Sequence, residues 1–429
     1  MRTRVLVAAC MACLLAAGRA GAQAPAAPPA LTLVEALRQA ELASPAVKLR
    51  EAQLAAAEGA RQQASSLLAH NPELSLERSR TQTRITPPPD ERGSGWSVGL
   101  AQSFEMGGQQ ARRRDAAAAA RDALRAEIED ARRQARSDAA LRFHAVLALQ
   151  RRIQVEQRSV ELFERTAQAV AKRRAAGEDT RLDANVALVE AERARNVLAV
   201  ATEQWLDARS ELAAALQLPP SAVPAVAGQL ATELGSALPF TLDQLVTAAQ
   251  ALPRLRALGA RENAARARLG VERASRTPDL TVGVNMGREG PGNARDRVTM
   301  LSLSMPLPLF TRNEAGIGQA LSEVTTSEVE RAVAIRDQEA QVRRLWSRLA
   351  SQRERVQRLQ RTLLPASADN QQLAAKSRQA GQIGLLEQLV INRQTLDAER
   401  ELGDALAEYH TTRIELENAA GWSLEGTAR

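Results

Sequence analysis

The sequence predicts a mainly α-helical protein with a small membrane β part, built twice from one helix, two strands and a long helical hairpin. The composition is rich in alanine and includes only five Phe, four Trp and one Tyr among 429 residues, which favours long packed helices over a dense aromatic core. One pattern of short motifs occurs twice, offset by just over two hundred residues. Short segments that alternate apolar and small polar residues with a period of two indicate strands.

The N-terminus, residues 1–22, has the pattern of a secretory signal peptide. Two arginines precede an apolar run at 5–17, and Ala20-Gly21-Ala22 offers a small-residue cleavage site before Gln23. The apolar run is too short to span a membrane as a helix. After cleavage, residues 23–30 are expected to form a linker that leads into the first unit.

Both cysteines, Cys10 and Cys13, lie inside the signal peptide. The segment Val7-Ala8-Ala9-Cys10 resembles a lipobox, but almost no hydrophobic region precedes it, so lipidation at Cys10 is the weaker alternative. The mature chain is therefore expected to have no disulfide, no catalytic thiol and no cysteine metal site.

The positive charge of the chain does not indicate a nucleic-acid partner. The net charge is +7 and the isoelectric point is about 10.4, but the only lysines are Lys48, Lys172 and Lys376. The arginines are spread among glutamate and aspartate along the helices rather than clustered in one segment. We therefore expect no nucleic acid among the partners.

Two copies of one unit account for the mature chain. Three motifs recur in the same order: Leu31-Thr32-Leu33 as Phe240-Thr241-Leu242, Asn71-Pro72-Glu73-Leu74 as Thr277-Pro278-Asp279-Leu280, and Arg174-Ala175-Ala176-Gly177 as Arg378-Gln379-Ala380-Gly381. A stretch with the composition of a linker separates the copies. The expected boundaries are a first unit at 31–218, a linker at 219–239, a second unit at 240–422 and a tail at 423–429.

The alternating segments predict strands at about 73–84, 94–105, 279–288 and 297–306. Their lengths are near what a tilted strand needs to span a bilayer. Their apolar residues would then face lipid: Trp96, Val98, Leu100, Phe104, Leu280, Val282, Val284, Met286, Leu301 and Leu303. Four strands cannot enclose a pore and lipid does not tolerate an open sheet edge, so a membrane location requires several copies of the chain.

A long helical hairpin is expected after each pair of strands, at about 109–218 and 313–420. Between Gln109 and Leu218 there is no proline, and Gly177 is the only glycine. A helix from Gln109 to Gly177 would be about 100 Å long. Gly177 and its counterpart Gly381 mark the points where the chain reverses, since glycine commonly ends helices.

In the second hairpin, a seven-residue apolar repeat predicts coiled-coil packing. The repeat consists of Ile335, Val342, Leu349, Val356 and Leu363. Pro365 follows it and is expected to kink or interrupt the helix. Helices of this length cannot bury themselves in a compact domain, so we expect them to pack on each other or on neighbouring subunits.

The order of these motifs resembles the TolC-type outer-membrane efflux proteins, from about Leu31 to about Trp422. The segment Met305-Pro306-Leu307-Pro308-Leu309-Phe310-Thr311-Arg312-Asn313 is most similar to the cobalt–zinc–cadmium resistance branch. The resemblance implies a homotrimer whose twelve strands form one barrel in the outer membrane of a Gram-negative bacterium, surrounded by its lipid and continued by a periplasmic α-helical barrel. It also implies a periplasmic adaptor and a proton-driven inner-membrane pump as partners, with divalent heavy-metal cations as a candidate cargo.

The resemblance further implies that the two hairpin tips, 174–183 and 378–387, form the closable end that faces the adaptor. The candidate docking residues are Arg174, Gly177, Leu182, Arg378, Gly381 and Leu386, and the candidate charges near the aperture are Asp183 and Glu387. The alternative is that the glycines and leucines only shape the turns and that the acids are solvated. For the two acids this alternative is the favoured one.

No residue pattern indicates catalysis, a metal or a cofactor. His70, His144 and His410 lie far apart without ligand-like spacing, and no phosphate loop or catalytic triad is apparent, so we expect a non-enzyme. Two other classes remain open. A periplasmic adaptor would carry one hairpin between β-rich domains, which the duplication disfavours, and a coiled-coil scaffold would carry its strands in an ordinary sheet.

Overall fold

The computed structural model describes residues 30–84, 86, 91–219, 221, 223–234, 240–290 and 295–421. The expected signal peptide at 1–22, with Cys10, and the expected tail at 423–429 lie outside these residues. The strands are β1 (Glu73–Thr83), β2 (Glu91–Phe104), β3 (Leu280–Glu289) and β4 (Asp296–Ser304). The helices are α1 (Leu33–Ala43), α2 (Pro45–Ala64), α3 (Gln109–Ala175), α4 (Arg181–Ala215), α5 (Leu242–Ala249), α6 (Pro253–Ala274), α7 (Glu314–Arg358), α8 (Leu364–Gln379) and α9 (Leu385–Ala420).

Each unit begins with a capped short helix. The Thr32 hydroxyl accepts a hydrogen bond from the Glu35 amide at 3.3 Å, and the Glu35 carboxylate accepts one from the Thr32 amide at 3.0 Å. Thr241 and Gln244 repeat this capping box at the start of α5. The recurring threonine is thus a helix start, because an N-cap side chain satisfies amides that the first helical turn leaves unpaired.

The four strands form one antiparallel sheet in the order β1-β2-β3-β4. The central pair, β2 and β3, joins the two units. Cross-strand partners place Leu74, Leu100, Val284 and Leu301 in one row. Because residues in one row point to the same side, every residue expected to face lipid lies on a single face of the sheet, and most of them are exposed.

The opposite face of the sheet has small residues and is crowded. A Cβ atom added to Gly287 would lie 2.6 Å from the Trp96 carbonyl oxygen, and one added to Gly95 or Gly283 would lie 2.5 Å from a serine hydroxyl of the neighbouring strand. Side chains converge on the inner side of a curved sheet and diverge on its outer side. The sheet therefore curves with its glycine and serine face inside and its apolar face outside.

Four helices continue the strands in the same lateral order. Helix α2 leads into β1, α3 follows β2, α6 leads into β3 and α7 follows β4. Helix α3 packs on α2 and α6, and α6 packs on α7, so the helical layer repeats the order of the sheet. The returning helices α4 and α9 pack on α3, and α9 also packs on α7 and α8. Among the described helices, none combines the length and the apolar character needed to cross a membrane.

The largest hydrophobic core ties the two units together. It draws buried side chains from α3, α4, α5, α7 and α9, including Phe143, Leu212, Leu245, Leu349 and Leu406. The segment between the two units, which includes residues 223–226, is held beside this core by backbone and side-chain hydrogen bonds. Leu31 and Val226 form a parallel bridge, and the Arg209 guanidinium donates hydrogen bonds at 3.0 Å to the carbonyls of Val223 and Pro224.

The expected seven-residue seam is wrong at both of its ends. Val342, Leu349 and Val356 are fully buried, whereas Ile335 and Leu363 are 42% and 41% exposed. Ile335, one heptad before Val342, lies outside the buried seam. Its neighbour Ala334 packs on the core instead.

A π turn at Leu359–Leu363 explains the exposure of Leu363 and the passage of Pro365. The Leu364 amide donates to the Leu359 carbonyl, one residue further back than in an α-helix. The extra residue in this turn rotates Leu363 out of the seam. Pro365 follows directly after this π turn, in the first turn of α8. The helix interruption expected at Pro365 is therefore the π turn directly before it.

Replacing Gly287 with alanine is expected to destabilise the sheet by about 1–3 kcal/mol, because the added methyl group would collide with the backbone of β2. Thermal unfolding in detergent, followed by circular dichroism, measures the change. Gly59→Ala is the matched control, since α2 leaves open space there and alanine favours a helix over glycine by about 1 kcal/mol. Equal losses of stability in the two variants would contradict the crowding of the inner face.

Candidate functional site at the hairpin tips

The first hairpin reverses through a Schellman motif. The Gly177 amide donates to the Arg174 carbonyl at 3.0 Å, and the Glu178 amide donates to the Arg173 carbonyl at 2.9 Å. Gly177 adopts a φ of +82°, and no heavy atom would lie within 4 Å of an added Cβ. The glycine is therefore required for its left-handed backbone and not for space.

The second hairpin repeats this geometry. Gly381 adopts a φ of +72°, its amide donates to the Arg378 carbonyl at 3.1 Å, and the Gln382 amide donates to the Ser377 carbonyl at 2.8 Å. The space around Gly381 is also open. The two tips are thus the same turn made twice, each followed by a returning helix.

Asp183 and Glu387 each cap the helix that starts at their own tip. The Asp183 carboxylate accepts hydrogen bonds from the Thr180 hydroxyl at 2.6 Å and from the Thr180 amide at 3.0 Å. These bonds lower the pKa of Asp183, with a smaller contribution from the charge of Arg378. The Glu387 carboxylate accepts a hydrogen bond from the Gly384 amide at 3.0 Å. Both acids are therefore placed by the local geometry of a helix start.

An ion pair that sequence reasoning missed joins the two tips. The Asp179 side chain is only 5% exposed and accepts hydrogen bonds from the Arg378 guanidinium at 2.7 Å and from the Arg173 guanidinium at 3.2 Å. The repeat register aligns Asp179 with Ile383, so the acid is present in one copy only. This difference between the copies is the sequence feature that could have indicated the ion pair. An acid present at only one of two equivalent tips can pair with a basic residue of the second tip.

The six expected docking residues differ in how they are presented. Leu182 and Leu386 are 72% and 64% exposed, and Arg174 and both glycines are also on the surface. Arg378 is different, since its side chain is 15% exposed and is turned toward Asp179. The tips therefore offer an apolar and basic outer surface around an internal ion pair.

Two further buried carboxylates bind the second hairpin to the first along its length. Glu156 on α3 is fully buried and accepts two hydrogen bonds from the Arg400 guanidinium, at 3.0 and 2.6 Å. Glu190 on α4 is buried and accepts a hydrogen bond from Arg393 at 3.0 Å. As with Asp179 and Arg378, the acid belongs to the first unit and the arginine to the second. Such paired, charge-assisted bonds fix the alignment of the helices.

Two of the three histidines meet, although the sequence separates them widely. The rings of His144 on α3 and His410 on α9 are stacked with centroids 5.9 Å apart. The His410 Nε2–H group donates to the Ala231 carbonyl at 2.8 Å. Burial lowers the pKa of His410, and the neighbouring His144 and Arg413 act in the same direction. Within the described ranges, no group of three or more His, Cys, Asp or Glu side chains could coordinate a metal ion.

A protein-family model described as "Outer membrane efflux protein" matches residues 36–217 and 245–422, one segment in each unit. The chain belongs to the outer membrane efflux protein family. The TolC-type resemblance is thereby confirmed, and membership places the chain in the outer membrane with a large periplasmic helical part.

Named relatives agree with this family membership. The cobalt-zinc-cadmium resistance protein CzcC of Cupriavidus metallidurans is 27% identical over 306 residues, which are 71% of this chain and 70% of CzcC. The outer membrane protein VceC of Vibrio cholerae has a TM-score of 0.73 at 19% identity, over 91% of this chain and 96% of VceC. The MtrE outer membrane channel of Neisseria gonorrhoeae has a TM-score of 0.73 at 17% identity, over 91% and 89% of the two chains. The last two show the mainly helical fold with few strands. The family is one of efflux proteins, which gives indirect support to the expectation of a non-enzyme.

Replacing Asp179 with asparagine is expected to weaken the contact between the tips by about 1.5–3 kcal/mol, because the Arg378 and Arg173 guanidinium groups lose a charged acceptor. Spin labels on cysteines introduced at Leu182 and Leu386 would report a broader distance distribution. Glu178→Gln is the control, since Glu178 is exposed and its ion pair is with Arg173 of its own hairpin. Unchanged distances in the Asp179 variant would remove the ion pair from a role in tip alignment.

Stability is expected to depend on pH through His410. A histidine whose pKa is lowered by folding contributes stability that is present above the unfolded value of 6.5 and is lost as the pH falls below it. Melting temperatures between pH 7.5 and 5.5 measure this slope. His410→Gln should flatten the slope, because the buried imidazole that resists protonation is removed. A wild-type slope in the His410 variant would assign the pH dependence to other groups.

Proposed function

We propose that three copies of the chain form the outer-membrane exit duct of a tripartite efflux system, which passively releases cargo received from an inner-membrane pump through a periplasmic adaptor. One observation carries the proposal, namely the state of the four-stranded sheet. Its apolar face is exposed, and the outer edges of β1 and β4 pair with no other described strand. Lipid requires that all strand hydrogen bonds be satisfied, so these edges must pair with other copies.

The inner face of the sheet favours three copies over two. Eight strands make a barrel whose interior is just wide enough for its side chains to fill. Twelve strands make a wider barrel, and an inner face of glycine, serine and threonine leaves the added space open to water. The helical layer, which continues each strand in order, would extend the passage into the periplasm.

The tips are proposed as the closable, adaptor-facing end. Leu182, Leu386 and Arg174 supply an exposed surface on the two identical turns at Gly177 and Gly381. The ion pair of Asp179 with Arg378 would hold the two hairpins of one subunit together behind that surface. Asp183 and Glu387 stay candidate aperture charges, because both carboxylates lie at helix starts on the tips, where the helix dipole favours negative charge.

Divalent heavy-metal cations are the proposed cargo. The relative CzcC is named for cobalt, zinc and cadmium resistance. The inner face of this sheet agrees with a cationic cargo, since Glu73, Glu77, Glu289 and Asp296 share the face that carries the glycines. Acidic side chains that line a passage raise the local concentration of cations.

The purified protein is expected to migrate as a trimer in native electrophoresis. In planar lipid bilayers it is expected to conduct cations in preference to anions. Removing four acids with E73Q/E77Q/E289Q/D296N should lower the cation-to-anion permeability ratio by about threefold or more, since the inner face loses most of its negative charge. R78Q/R288Q/R297Q is the control, because these residues lie on the opposite face and should not alter selectivity.

The same preparation separates the duct from the scaffold interpretation. A monomer that stays in detergent without conducting would contradict the duct and support a coiled-coil scaffold. A deletion strain complemented with the wild-type gene tests the cargo. Restored growth on zinc, cobalt or cadmium without any change in drug tolerance supports metal export, and restored drug tolerance alone would contradict it.

A further inference from the structure

The charged residues of the sheet are sorted by face. The arginines of the described strands, Arg78, Arg80, Arg92, Arg288 and Arg297, all lie on the apolar face by the pairing register. Acidic residues of the same strands occupy the alternate positions and lie on the glycine face. An apolar face that also has every strand arginine is unusual, because burying or crowding a charge beside apolar surface is costly.

The arginines of this face concentrate at one level of the sheet. Arg78, Trp96, Arg288 and Arg297 are successive cross-strand partners and form a single row, here called the arginine row. Arg80 lies one position further from the helices. The row is eight residues from the level of Phe104, which corresponds to about 27 Å along the strand. It therefore marks the end of the apolar band that is furthest from the helices.

Nothing in the described part of the chain neutralises these arginines. All are exposed, and no described carboxylate lies within ion-pair distance of any of them. Arg288 and Arg297 face each other directly, an arrangement in which like charges repel. The pairing is tolerable when an anion lies between or above the two guanidinium groups. Among the described residues, the row therefore has no negative partner and is free to bind an anion.

We propose that the arginine row binds the phosphate groups of lipid headgroups in the outer leaflet of the outer membrane. Because the helices are periplasmic, the far end of the strands lies in the outer leaflet, and the row lies where the apolar band ends. Guanidinium groups match phosphate with paired hydrogen bonds, and their apolar stems can follow the strand surface to the headgroup level. Trp96 within the row fits this depth, since tryptophan prefers the membrane interface.

The proposal rests on the part of the proposed function that places the sheet across the outer membrane with its apolar face toward lipid, and not on the cargo or the tips. A water-soluble acidic protein is a poorer occupant because the row is continuous with exposed leucines, namely Leu74, Leu76, Leu100 and Leu301, which would have to be dehydrated by the same partner. Phosphate-bearing lipid supplies both the anion and the hydrocarbon that this face needs.

The test uses the protein in its native oligomeric state and purified bisphosphorylated lipid A as the probe. Native mass spectrometry of a titration in detergent gives the number of bound lipids and their dissociation constant. R78Q/R288Q/R297Q is expected to raise that constant tenfold or more. R344Q/R348Q/R361Q is the matched control: it removes the same charge from exposed arginines of the α7 and π-turn region, and it should bind lipid A as the wild type does.

Further measurements with control ligands identify which part of lipid A is bound. Lipid A stripped of its phosphates should bind weakly to the wild type, and inorganic phosphate at millimolar concentration should not displace lipid A. If the glutamine variant does not assemble, R78K/R288K/R297K carries the test, because lysine keeps the charge but loses the paired hydrogen bonds and should bind more weakly than wild type. Equal binding by wild type and the row variants, equal loss in the control, or equal binding of phosphate-free lipid would overturn the proposal. The arginine-row variants should still conduct ions in bilayers. Loss of lipid A binding with conductance intact therefore distinguishes a change in lipid binding from failure of the duct.

Discussion

The pairing register between β2 and β3 is the constraint on which the sheet depends. It joins the two units, and it sets Leu100 beside Val284 and Gly99 beside Asn285. A slip of one residue would move one strand's apolar set to the inner face and its glycines to the outer face. The separation of an apolar exterior from a small and acidic interior, and the alignment of the arginine row, therefore rest on the same set of backbone hydrogen bonds.

In the helical part, buried carboxylates have the corresponding role. Glu156, Glu190 and Asp179 each accept hydrogen bonds from an arginine of the other unit. Burying a charge is costly, and only the paired arrangement offsets that cost, so a misaligned hairpin would leave a carboxylate without its partner. Arg393 and Arg400 are seven residues apart on α9 and so lie on one side of it. The pairs thus select one longitudinal position of the second hairpin against the first.

The sequence predicts those features that depend on residues close together in the chain, namely the strands and the helix ends. The period of two predicted the strands closely, and the glycines at 177 and 381 marked both reversals, because alternation and helix termination depend on neighbouring residues. The pairing of Asp179 with Arg378 and the stacking of His144 on His410 could not be predicted, since each joins segments far apart in the chain. Leu363 was misplaced because the repeat assumes one helical phase, and the π turn changes that phase.

The glycines at 95, 99, 283 and 287 leave the concave wall of the sheet with little more than main-chain atoms along its middle. In the proposed barrel, a hydrated ion passing this wall would meet peptide dipoles in many shallow, nearly equivalent positions and no deep one. Such a wall lets solutes of different size diffuse at similar speed, and the neighbouring acids separate them only by the sign of their charge. Discrimination among them would then belong to the components that load the passage, upstream of the membrane in which this chain lies.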